Sequence, residues 1–550
     1  MPSTDKNTRA AWATLTHDSL NNAPFVKHTL TGVQFFFLNV GLLLGNILVL
    51  FNTGAFASVS LHATGGLGVS PSHAGWMQSY YFISLALALP ISSWLAAVVG
   101  EVRLYLTAMV AMTLASLLCA VTDDLIWFLF GRALQGFFGG LTIPLSQTLL
   151  MREYPESAKS FAVSLWSIAA LSPFTLGPAA GGWIADHLGW RWLFYLNVPL
   201  PLLAAALVWA LLFDRQSPQR KMPFDVVGFL LLAVALVCVQ TVLNQGQDAD
   251  WFNSTGLIGM TLAGLLMLAY FIVWELAERS PLLDLRLFAR RNFAIGSVML
   301  SVSFMLMYGL LSVLLVRLQA VAGYTSFLVG SALLPLAVLA KPVASVMHRV
   351  VHRFDARLLV SLNMLLFALY CGLSSRYDFF GRGGWFTQPL WSQVLEGFCL
   401  GALFVPLTTL FLYGLTPRRQ TQAVELGGML RVLGGSVASP LLGVFWERRT
   451  AFHQSRLIES FSLHDGFDGE IVERLHNAGL HGQLAAAKLA TVVNQHAAIL
   501  GLGDTFRLAA WLFLDLAAIV WIARPVGPKP AVTVKDNHRL AALEDLIEEP

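Results

Sequence analysis

One arginine and three carboxylates stand where apolar sequence should exclude them. Arg132 lies in GRALQGFFGGLTIPL, which begins at Gly131; Glu396 lies in LEGFCLGALFVPL, which begins at Leu395; Glu425 and Asp515 lie in two later apolar runs. A charge at the centre of a bilayer costs roughly 2.5–3.5 kcal/mol on insertion scales, so Arg132 must face a partner or a water-filled cavity. A carboxyl group in such a cavity can load a proton from one side and release it to the other as access alternates. The chemistry on offer is therefore proton carriage rather than bond making. Glu396 is the first candidate carrier, with Arg132, Glu425 and Asp515 completing the coupling set. The competing reading of Glu396 is a permanent ion pair with Arg431 or another buried cation; Asp515 can equally face lipid, and Glu425 can equally lie at the cytoplasmic surface.

A second group of residues reads as a gate. In SPFTLGPAAGGWIAD, from Ser172, Gly177 and Gly181 share one helical face and let a neighbouring backbone approach, Gly182 adjoins them, and Pro173 and Pro178 bend the axis. Asn52, Gln78, Tyr81, Gln135, Phe138, Tyr308 and Phe398 supply the polar and aromatic groups that could line a substrate cavity, with helix packing as the competing role of each. Lys341 and Arg431 add cations, Arg431 as the expected partner of a carboxylate. Such a cavity suits neutral, zwitterionic or weakly acidic amphipaths.

These residues need a membrane bundle to hold them. The chain has 550 residues, 56% hydrophobic and 12% charged, whereas a soluble domain is about a quarter charged. Fourteen apolar stretches are long enough to span, near 31–56, 75–99, 104–121, 125–149, 161–184, 192–213, 225–244, 256–276, 293–316, 327–347, 358–375, 390–414, 421–446 and 505–523. Basic residues concentrate in alternate loops, Arg103, Arg152, Lys159, Arg215 and Arg290 among them, which predicts both termini in the cytoplasm. The sparse outside loops hold Arg191, Arg317, Arg376 and Arg382, and one of them, 447–503, is long and polar. Cys119, Cys238, Cys371 and Cys399 all lie in apolar runs and read as reduced core residues.

The chain also repeats itself. LQGFFGGLTIPL from Leu134 is echoed by LEGFCLGALFVPL from Leu395, and a basic loop with a proline follows each, at Pro155 and Pro417. Spans four and five thus correspond to spans twelve and thirteen. Parallel six-span halves with two interposed spans, and a site at the midplane between them, describe the major facilitator architecture. The fold class is an all-α polytopic membrane protein. Its expected organisation is a tail over 1–30, a six-helix bundle over 31–213, interposed helices over 225–276, a second bundle over 293–523 containing the long loop 447–503, and a tail over 524–550.

The motifs resemble those of a known family. GRALQGFFGGLTIPLSQTLL is similar to its fourth-helix motif, SPFTLGPAAGGWIAD to its fifth-helix antiporter motif, and GWRWLFYLNVP from Gly189 to the following segment of fourteen-span drug:proton antiporters of the major facilitator superfamily. DWF at Asp250, VWEL at Val273 and RNF at Arg291 extend the likeness, which runs from about 75 to 525 and points to the inner-membrane pumps of Emr-type tripartite efflux systems. The resemblance implies proton-coupled multidrug export across a bacterial inner membrane, with amphipathic substrates, lipid, and a periplasmic adaptor and outer-membrane channel as partners, and no nucleic acid. Two features depart from the family: SSWLAAVVGEVR keeps only Glu101 and Arg103 of the usual loop after span two, and Asn52 stands where an ungapped count back from Trp76 puts the family's first-helix aspartate. Coupling would then need another carboxylate. The alternatives are a dedicated exporter of an endogenous metabolite such as a siderophore, and a ligand-binding sensor or assembly partner without coupled transport. The sequence has no GxxxxGK[ST] loop, GxSxG elbow, zinc-helix motif or paired-cysteine signature, so no enzyme, cofactor or metal is expected.

Overall fold

The computed structural model describes residues 31–155, 158–215, 219, 223–321, 323–376, 387–463 and 483–526. The tail 1–30 and nearly all of the tail 524–550 lie outside the described residues. An apolar run in lipid must satisfy its own backbone, so each becomes a helix. In chain order these are α1 Gly32–Gly66, α2 His73–Val99, α3 Glu101–Val121, α4 Leu125–Glu153, α5 Lys159–His187, α6 Trp192–Leu212, α7 Val226–Gln245, α8 Thr255–Ala277, α9 Arg291–Ala320, α10 Ser326–Val350, α11 Ala356–Ser374, α12 Thr387–Leu412, α13 Pro417–Leu463 and α14 Gln483–Ile519. Thirteen of them carry an apolar window long enough to cross a membrane among the described residues, and α5 stands where the sequence places the remaining span. Aspartates cap several starts: Asp124 accepts from the Ile126 and Trp127 amides at 2.9 and 3.0 Å, and Asp225 from Gly228 at 2.8 Å.

Helix pairing repeats between the halves. The pairs α1–α5, α2–α4, α3–α4 and α3–α6 recur eight helices later as α9–α13, α10–α12, α11–α12 and α11–α14, while α7 pairs chiefly with α8. The joins between the halves, α2–α13 and α5–α10, are also exchanged by this correspondence. Gly136 and Gly140 press α4 onto Tyr81 and Leu85 of α2; Gly397 and Gly401, each 261 residues later, press α12 onto Leu336 and Ala340 of α10. The repeat read from sequence is thus a repeat of close helix contacts.

The long loop is shorter than expected. α13 continues to Leu463 and α14 begins at Gln483, so much of 447–503 is helical extension, polar enough to escape a hydropathy reading. Asp504 of α14 ties the two helices together through Arg449 and His453 of α13, and pairs with Arg507 one turn along its own helix. Arg317, expected in an outside loop, is buried in the last turn of α9.

One end of the bundle is sealed between the halves. Gly177 and Gly181 of α5 lie flush on Gly54 and Ala55 of α1, and Gly182 abuts the Ser326 carbonyl at the start of α10. Asp186 accepts from the Ser326 and Phe327 amides at 3.2 and 2.8 Å, and Gln319 donates to the Ser58 carbonyl at 2.8 Å. At the opposite end a crevice of about 350 Å³ opens between the halves, lined by Ser93, Glu101, Thr148 and Glu425. A side chain on Gly182 would overlap Ser326, and overpacking costs about 1–3 kcal/mol. We therefore expect Gly182→Val to prop this end open, so that a cysteine at position 326 reacts with a polar maleimide roughly tenfold faster than in the Gly182 background. Equal rates would show that the seal does not depend on this contact.

Candidate functional site

Arg132 is fully buried, and no carboxylate pairs with it among the described residues. The α2–α4 contact made by Gly136 and Gly140 brings its guanidinium against α2. It donates to Gln135 Oε1 at 2.6 Å, to Gln78 Oε1 at 3.2 Å and to the Met77 carbonyl at 3.3 Å. The rings of Phe56 and Tyr81 lie 4.2 and 4.3 Å from it, and Phe194 at 5.8 Å. Three oxygens and three ring faces thus do the work of a counter-ion.

The second half presents the same frame with the charge changed. Gln393 and Glu396 stand 261 residues after Arg132 and Gln135, so an amide occupies the arginine position and an acid the glutamine position. Glu396 is 1% exposed and accepts from the Tyr370 hydroxyl at 2.8 Å. No ion pair joins it to Arg431 or to any other described cation. Gln393 is buried beside it, its side-chain amide the second neutral neighbour of the carboxylate. Glu396 lines a narrow crevice of about 10 Å³, room for about one water, whose walls include Pro178 of α5 and Leu336 of α10.

The other expected residues distribute unevenly. Asn52 and Asn197 form a reciprocal amide pair at 2.6 and 3.0 Å, so Asn52 engages α6 rather than the guanidinium. Tyr81 donates to the Val49 carbonyl and Gln135 to Ser116, which commits both to the cage around Arg132. Gln78 and Tyr308 reach a cleft at the sealed end. Phe138 is half-buried against the core. Phe398 is exposed and Asp515 lies on the exposed stripe of α14 with Trp511 and Leu514, so the crevices described here contain neither. Glu425 lines the crevice at the open end, which no residue of the Arg132 cage lines. Arg431, expected beside a carboxylate, instead sits 5.4 and 5.5 Å from the rings of Phe304 and Phe404. Of the gating residues, Gly177, Pro178, Gly181 and Gly182 line the seal; the side chain of Pro173 lies outside the described residues. No group of three metal-ligating side chains gathers among the described residues. His464, His476 and His481 of the long loop lie outside them.

Reading by residue type missed Asn197, Tyr370, Phe56, Phe194 and Asp186. Asn197 carried a signal, a polar residue inside GWRWLFYLNVP. Asp186 closes the antiporter-like motif and was visible as a helix-end acid. Tyr370, Phe56 and Phe194 had none beyond being aromatic.

Comparison with known proteins agrees with this geometry. Residues 42–439 match the Major Facilitator Superfamily. The chain is 33% identical over 497 residues to the multidrug export protein EmrB of Escherichia coli K12, covering 90% of this chain and 96% of that one. It is 33% identical to the fatty acid resistance protein FarB of Neisseria gonorrhoeae, with coverages of 84% and 90%. Among solved structures, a bacterial homologue of the human lysosomal transporter Spinster, inward-facing and unoccupied, superposes with a TM-score of 0.60 at 15% identity over 91% of this chain and all of that one. A peptide transporter of the POT type gives 0.58 at 14% identity, over 88% of this chain and 95% of that one. These structural likenesses speak for the fold alone.

The amide pair yields a stability prediction. Asn52→Leu strands the Asn197 amide in the core, at a cost of about 1–3 kcal/mol. Asn52→Asp, which when protonated keeps one donor and one acceptor in place, should lose less. Thermal unfolding of the purified chain in detergent should rank parent, Asp and Leu in that order; a leucine variant as stable as the parent would mean the pair contributes nothing.

Proposed function

Since the chain belongs to the Major Facilitator Superfamily, and is a multi-pass membrane transporter rather than an enzyme, we propose that it exports amphipathic small molecules in exchange for protons by alternating access. The names of EmrB and FarB, proteins of multidrug export and fatty acid resistance, support the direction of transport and the breadth of substrate. The excess of basic residues in alternate loops supports an inner-membrane orientation with both termini inside, which makes the Gly182–Ser326 seal the outer end and the crevice at Glu425 the inner one.

The observation that carries the proton-coupled reading is the crevice shared by Glu396 and Pro178. Glu396 is buried, its hydrogen-bonding neighbours are the neutral side chains of Tyr370 and Gln393, and it shares its crevice with Pro178, whose carbonyl accepts from Ser58 at the seal at 2.8 Å. A change in its protonation would act directly on the contact between the halves. Arg132, held by neutral oxygens, serves as a fixed charge of the first half. The departure at Asn52 fits a carrier placed in the second half. A periplasmic adaptor and outer-membrane channel are the partners that this reading implies, with the polar stretch 470–500 before the last span as the docking element.

Everted vesicles test the proposal. With an imposed acid-inside gradient, a panel of amphipaths should release protons from vesicles carrying the parent protein. Glu396→Gln should lower that flux by about a hundredfold or more while leaving the protein folded, as loss of an essential proton-transfer group does. Tyr370→Phe, which removes one hydrogen bond to the carboxylate, should slow it by about tenfold. Undiminished flux in Glu396→Gln at every pH would remove Glu396 from the mechanism.

A further inference from the structure

At the sealed end, on the side where α2 meets α13, an open cleft of about 100 Å³ enters between the halves and is bounded by the interposed helix α7. Its floor is Gln78 and Tyr308; one wall is Trp76, whose indole donates to the Asn244 carbonyl at 2.9 Å. Its rim carries Asp248 and Glu447, both exposed. No lysine, arginine or histidine lines it. Asn244, 7% exposed, lines the cleft with its side-chain oxygen accepting from Gln240 and its Nδ2 without any acceptor. A buried amide donor left unpaired beside a polar cleft wants an acceptor from a ligand.

We propose that this cleft is an outer binding site for amphipaths that carry an organic ammonium and, a few bonds away, a carbonyl or ether oxygen. The ammonium meets Asp248 and Glu447 at the rim, the apolar body lies along Trp76, and the oxygen takes the Asn244 Nδ2 proton. Gln78 joins the floor of the cleft to the first half, because the same side chain accepts from Arg132. The charge of the cleft is opposite to that of the interior, where Arg132 and Arg431 exclude a second cation. The site therefore favours basic or zwitterionic substrates over the weakly acidic ones that the interior cations alone suggest. It deepens the export reading and rests on it only for the direction of travel, since binding needs no gradient.

Equilibrium dialysis on the full-length chain in neutral detergent tests it, with benzoylcholine as the probe and its carbon isostere, bearing a tert-butyl group in place of the trimethylammonium, as the uncharged control. The parent should bind benzoylcholine about tenfold more tightly than the isostere, as two partly screened carboxylates and a ring face allow. Asp248→Asn with Glu447→Gln, both at exposed positions where folding is not at stake, should erase that preference. Asn244→Leu should weaken both probes by several-fold while keeping the ratio between them. Absence of saturable binding, equal affinity for the two probes in the parent, or a preference that survives the double substitution would each overturn the proposal. Because no gradient is applied, these outcomes are independent of whether Glu396→Gln vesicles lose export.

Discussion

Keeping a guanidinium in a dry interior without a counter-ion is the constraint around which the first half is built. Arg132 cannot draw on solvent, and a carboxylate does not reach it. Its charge is spread instead over amide and carbonyl oxygens on two helices and over the negative faces of three rings. Arginine suits this and lysine does not, because only a planar fork can address several acceptors in different directions while also stacking. The demand propagates outward. Gln78 and the Met77 carbonyl are in range only because Gly136 and Gly140 let α4 lie flush on α2, and Phe56 and Phe194 arrive from α1 and α6 to close the cage.

The same scaffold in the second half is used for the opposite purpose. Gly397 and Gly401 set α12 against α10, but the frame now holds Glu396 with a tyrosine hydroxyl and a glutamine amide as neighbours. A buried acid locked to a cation would resist protonation, since neutralising it strands the partner charge. Neutral neighbours remove that penalty: a hydroxyl can donate to the carboxylate and accept from the acid, and the Gln393 amide can do either. A chain of ring contacts joins the two halves across this seam. It runs from Tyr81 through Phe82 to Tyr308, with centroids 6.2 and 4.8 Å apart, and on to Phe304 and Arg431.

Fold and partners were legible to different degrees, for physical reasons. Spans announce themselves because every stretch in lipid must be apolar, and the repeat was visible because close helix contact demands glycine at the same offsets in both halves. Helix phase was hidden. In α14 apolar residues occupy every face, so nothing in the sequence says that Asp515 turns outward with Trp511 while Phe513 turns inward. Long-range partners were hidden too: Asn52 and Asn197 lie 145 residues apart, and each has the bland look of a polar residue in a long apolar run. The polar extensions of α13 and α14 read as loop because hydropathy sees composition and not hydrogen bonding. Arg431 was assigned a carboxylate on the general rule that buried cations are paired, and ring faces satisfied the rule in another way.

On the export reading, coupling needs no long pathway. Pro178 is the meeting point: its carbonyl accepts from Ser58 of α1, its backbone leaves no room for a side chain at Gly330 of α10, and it lines the crevice beside Glu396. Loading a proton on Glu396 removes the need to hydrate that crevice, and releasing it restores the need. The walls that must part or close to meet that change are the helices that form the seal. A two-state element biased by one titrating group is then the contact between the halves itself, and the acid acts at its edge rather than at a distance.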